Sequence, residues 1–143
     1  MKTLKELLDT PDNRPRVLKA CEDLVEDELN QAKGLSGIAL RTAFAVVQAL
    51  DDSFIQKALN KLFDDFISSL EPFWSQSTVA SLENDWRSQA PQIADALLGA
   101  ADTKIERVQN KSVKKVYSKL RPKAASYVQN AVPGLAQVVL SFS

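Results

Sequence analysis

The chain has 143 residues, is 45% hydrophobic and 25% charged, and balances 18 basic against 18 acidic side chains. That composition fits one globular domain over residues 1–143 and excludes a disordered chain. With no histidine and one cysteine, Cys21, it also excludes Ser-His and Cys-His catalysis, His-ligated metal centres, a Cys zinc site and an internal disulfide.

Only 4 Gly and 6 Pro are present, too few for the regular turns of an all-β fold. Residues 1–9 make a short amphipathic turn with Leu4, Leu7 and Leu8 on one side. They lack the apolar core of a secretory signal. TPDNRP breaks the pattern. Asn13 is an N-cap there, and Pro15 falls in the first turn of a helix over Arg14 to Lys33. Val17, Cys21, Leu24, Val25, Leu29 and Ala32 form its apolar stripe. Glu22, Asp23, Glu26, Asp27 and Glu28 cover the other side. Cys21 reads as a small buried hydrophobe, and Gly34 as the C′ residue.

GLSGIALRTAFAVVQAL follows. Ser36 caps a helix from Gly37 to Leu50 whose only strongly polar side chains are Arg41 and Gln48. A helix apolar on nearly all sides belongs in the middle of a bundle, so residues 37–50 are expected to be its buried central helix. The segment is too short to span a bilayer. Asp51, Asp52 and Ser53 break the chain. Phe54 to Leu70 then carries Ile55, Leu59, Leu62, Phe66 and Leu70 in one stripe, and Glu71-Pro72 ends it. Phe73 and Trp74 come next, in a turn, as a candidate pocket or interface anchor. Ser77 or Thr78 opens a short helix with Val79, Leu82 and Trp86 inward. Pro91 starts another, running to about Val108. A basic helix begins near Ser112, and Pro122 kinks or restarts it. Pro133-Gly134 makes a turn before a last apolar helix, Leu135 to Phe142. The expectation is an all-α, compact bundle of about seven helices.

Taken in order, GLSGIALRTAFAVVQAL, FDDFISSLEPFW and VYSKLRPKAASYVQNAVPGLA resemble a family of small bacterial proteins of unknown function. That family combines a GLSG helix start, an L-x-P-F-W turn and a basic C-terminal helix. The likeness covers about residues 1 to 140. It departs at Pro122, where small residues are the rule, which puts helix continuity there in question. The resemblance implies a bacterial, cytoplasmic, helical protein and no particular reaction.

Charge is unevenly spread. Residues 1–103 hold 10 basic and 17 acidic side chains, whereas residues 104–143 hold 8 basic and one acidic. The eight are Lys104, Arg107, Lys111, Lys114, Lys115, Lys119, Arg121 and Lys123. They form a candidate surface for an anionic protein or lipid, or else lie beside the acidic run 22–28 or in solvent. Nucleic acid is disfavoured, because Tyr117 is the one aromatic among them and the whole chain is not basic. Glu22 and Glu26 lie one turn apart and Asp64 and Asp65 fall on another helix, but only Asp23 and Glu26 approximate half of a carboxylate metal pattern, and there is no matching second half. Ser36 fits neither a nucleophile elbow nor a phosphate loop. No motif calls for a cofactor. The favoured reading is a non-enzymatic interaction or adaptor protein, cytoplasmic and able to self-associate. A helical carrier of an apolar molecule or lipid is the alternative, requiring an internal pocket. A Mg²⁺-dependent carboxylate enzyme comes last.

Overall fold

The computed structural model describes residues 2–143. Seven helices follow one another, with no strand among the described residues: α1 (Leu4–Leu8), α2 (Asn13–Gln31), α3 (Gly34–Leu50), α4 (Phe54–Ser75), α5 (Leu82–Ser88), α6 (Ala90–Ile105) and α7 (Lys111–Phe142). A five-residue helix is marginal by itself. α1 holds because Thr3 and Glu6 form a reciprocal capping box and Leu4, Leu7 and Leu8 are all buried. The Leu4 N–H also donates to the Glu71 carboxylate at 2.8 Å, tying α1 to α4.

α7 is the spine. It is 32 residues long, about 48 Å at 1.5 Å per residue, and α2, α5 and α6 pack along it. α2 lies antiparallel to it: the Arg16 guanidinium sits over the Phe142 ring and Leu24 faces Gly134. The core gathers Leu4 and Leu8, Val17, Ile67 and Trp74, Leu82 and Trp86, Ile93, and Val132, Ala136 and Val139. Each large apolar side chain buried this way contributes about 1.5–3 kcal/mol. All the α7 members of this core come from its C-terminal half.

Two helices run on where interruptions were expected. α4 continues through Pro72, so Phe73 and Trp74 belong to its last turn rather than to a turn beyond it. Tertiary anchoring outweighs the lost backbone bond: Trp74 is 2% exposed and its indole N–H donates to the Lys2 carbonyl at 2.8 Å. α7 likewise runs through both Pro122 and Pro133-Gly134. Pro122 is exposed, on the side where water is at hand for the carbonyl its missing N–H leaves free. Gly134 serves close packing, since a Cβ there would stand 2.6 Å from Leu24 Cδ1.

The expected central helix is the largest correction. α3 lies on the outside of the bundle. Only Gly37, Leu40 and Val47 are buried in it, and it supplies no member of the main core. Val79, expected inward, is 49% exposed, while Leu82 and Trp86 are fully buried. Ser36 does not cap α3, which begins two residues earlier at Gly34.

Candidate interaction surface on α3 and α7

The GLSG sequence builds the corner between α2 and α3. Gly34 takes a φ of +71°, in the left-handed region where other residues are strained. Gly37 lies so close to the end of α2 that a Cβ would stand 2.5 Å from the Ala32 carbonyl oxygen. Arg41 reaches back across the corner and donates to the carbonyls of Ala32, at 2.6 Å, and Leu29, at 3.3 Å. A cation on the last carbonyls of α2 satisfies orphan acceptors and complements the helix dipole. The one basic side chain of α3 is thus occupied structurally.

What α3 turns outward is apolar. Leu35, Ile38, Val46 and Leu50 are 86%, 55%, 49% and 58% exposed. With Ala39, Thr42, Ala45 and Ala49, also exposed, they occupy roughly 140° of the helix circumference at 100° per residue. No charged residue falls within that arc. Surface helices normally show polar residues there.

Beside α3 runs the basic half of α7, capped by the Asn110 side chain, which accepts from the N–H groups of Ser112 and Val113. The eight basic residues divide. Lys104 pairs with Asp65 at 3.4 Å. Arg121 makes a forked bond to Asp102, with Nε at 2.9 Å and Nη2 at 3.1 Å from its oxygens. The Tyr117 hydroxyl donates to the same carboxylate. Arg121 first, and then Tyr117, hold Asp102 below the usual carboxylate range, while burial and the Asp102 charge push the Tyr117 hydroxyl upward. These residues fasten α6 to α7. Lys114 reaches only the Glu106 carbonyl, at 3.5 Å.

Lys111, Lys115, Lys119 and Lys123 differ. They recur every four residues, all are exposed, and none has a carboxylate in salt-bridge range among the described residues. The stripe turns about 40° per step and ends against α3, where Lys123 Nζ donates to Ser36 Oγ at 2.8 Å. At 100° per residue Ser36 stands about 40° beyond the Leu50 margin of the apolar arc, next to Leu35 in the chain, so the cationic stripe adjoins the apolar face along one edge. Arg107, also exposed, lies in the connection leading to α7. The acidic run of α2 lies level with the C-terminal half of α7, where Leu24 meets Gly134, with Asp23, Glu26 and Asp27 exposed, and it takes no part in the stripe.

The other candidates are used differently. Phe73 packs against the core and its carbonyl accepts from the Trp86 indole at 3.3 Å; Trp74 plugs the bundle next to it. Neither lines the surface cleft of about 350 Å³ between α2 and α4 or that of about 270 Å³ beside α1. Among the described residues no three carboxylate or cysteine groups converge as a metal site would require. Asp64 faces Arg14 at 3.4 Å and Asp65 faces Lys104. Cys21 packs against the core, and burial pushes its thiol up to about 11.

The fold and this surface define an all-helical bundle that carries an exposed cationic and apolar face. The sequence matches the family described as a family of unknown function, DUF6918, over residues 4–143, and the chain belongs to that family. No curated protein and no solved structure matches it.

Proposed function

We propose that this protein is a non-enzymatic interaction protein whose working surface is the lysine stripe of α7, and that it docks an anionic partner there. The observation that carries the reading is the stripe itself. Like charges at i, i+4 destabilise a helix, yet four lysines stand at that spacing with no acid opposite them. An anionic partner turns this repulsion into attraction and steers encounter. A bacterial, cytoplasmic setting belongs to the same reading, and the unpaired Cys21 suits it.

The test is photo-crosslinking in cells, with a photoreactive side chain at Ser118, between the lysines, or at Gln92, exposed in the first turn of α6. Adducts are expected from position 118 only, and they are expected to vanish when Lys115→Glu and Lys119→Glu are added. Equal adducts from both positions, or none from 118, would overturn the proposal.

A further inference from the structure

We infer that the partner is the surface of an anionic lipid bilayer, with the outer face of α3 lying in the boundary between headgroups and acyl chains and the α7 lysines against the phosphates; this rests on the reading of the stripe as an anion-docking surface. Three observations carry it. The first is complementarity. An interfacial helix needs an uncharged apolar face next to cations, because neither signal alone holds firmly. Here Lys123 touches Ser36, next to exposed Leu35 and about 40° beyond the margin of the apolar arc, so the two signals adjoin along one edge. No described helix is long and apolar enough to cross a membrane, so the geometry is that of a helix lying on the surface.

The second is shape. Peptide-binding surfaces offer a groove, whereas α3 offers a ridge. Leu35, Ile38, Val46 and Leu50 stand out from it with about half or more of their surface in solvent. A fluid bilayer closes around a protruding ridge without needing a matching cavity. The third concerns a second copy of the chain. A two-fold contact places the same patch on both partners, which sets one lysine stripe beside another and adds repulsion.

The face is also polar along its length. Its N-terminal end has Lys33 and Lys123 nearby, and its C-terminal end meets Asp51 and Asp52. Asp51 is engaged by Lys57 and Ser53. Leu35 and Ile38 therefore sit deeper in the bilayer than Leu50.

The experiment is co-sedimentation with phosphatidylcholine vesicles, and with vesicles in which about a third of the lipid is phosphatidylglycerol, at low and high salt. Binding is expected to the anionic vesicles at low salt only. Ile38→Asp is expected to lower it about tenfold, Leu50→Asp by clearly less, and paired Lys115→Glu and Lys119→Glu to abolish it. All these positions are exposed, so circular dichroism is expected to match wild type and none of the variants is expected to melt appreciably lower. No vesicle binding, with crosslinks retained at Ser118, would sink the lipid inference and leave the docking surface standing. Loss of both removes both. A dimer in sedimentation equilibrium that Ile38→Asp dissociates would assign the face to a second copy and overturn the inference.

Discussion

Three glycines in similar helical settings are held by different neighbours, and Ala substitution separates them. In an open helix Gly→Ala gains about 0.5–1 kcal/mol. Gly99 has nothing within 4 Å of a Cβ, so Gly99→Ala is expected to raise the melting temperature by a few degrees. At Gly37 the obstacle is the backbone oxygen of Ala32 at 2.5 Å, which cannot step aside without moving α3. Gly37→Ala is expected to lower the melting temperature. Gly134 meets the far end of the Leu24 side chain, which can turn away, so its substitution should fall between the two. Thermal denaturation of the three variants reads the order directly. Asp102 gives a pH-dependent case. Its carboxyl is depressed by Arg121 and Tyr117. Its stabilising effect is therefore full above the ordinary carboxylate range and disappears as pH falls through its lowered folded value. The side chain is partly exposed, which limits the effect to about 1 kcal/mol or less. Asp102→Asn is expected to be less stable than wild type to urea near neutrality and equal to it in acid.

At the level of elements, the basic half of α7 separates folding from docking. Lys115→Glu replaces two like-charge pairs, with Lys111 and Lys119, by two opposite-charge pairs, each worth about 0.2–0.5 kcal/mol. The variant is expected to melt slightly higher and to bind anionic vesicles less. A purely structural stripe would not set the two readouts against each other. Periodicity sufficed for α2, for the body of α4 and for α6, because burial of one stripe dictates each. It misplaced the C-terminal end of α4 and the continuity of α7, because proline's local penalty was weighed without the tertiary bonds of Trp74 or the close approach of Leu24 to Gly134. The lysine stripe was legible in the charge distribution. The outward face of α3 was not: an all-round apolar sequence looks the same whether a neighbouring helix or an outside partner covers it. Arg41 was visible as the polar exception, but its role on the α2 carbonyls needed the corner geometry.

For the whole molecule, zero net charge is misleading. The acids of α2 and the unpaired lysines of α7 lie along different halves of the spine, leaving a molecule with two poles. With no histidine, no side chain ordinarily titrates between about pH 6 and pH 8. Vesicle binding is therefore expected to fall steeply with salt and to stay flat across that pH range; a strong pH dependence there would contradict the lysine stripe as its source.

The main core draws on one half of α7 and takes nothing from α3. Stability inside a protein is graded, and segments outside the cooperative unit open separately. Backbone amides of α3 and of residues 111–124 are expected to exchange with deuterium by local opening, well before those of Ile93, Trp86 or Val139. Bound to anionic vesicles, the same amides should become the most strongly protected relative to the free protein. A helix left loosely attached in isolation is free to settle to the depth and tilt that the bilayer sets, with Gly34 as the joint on which it turns.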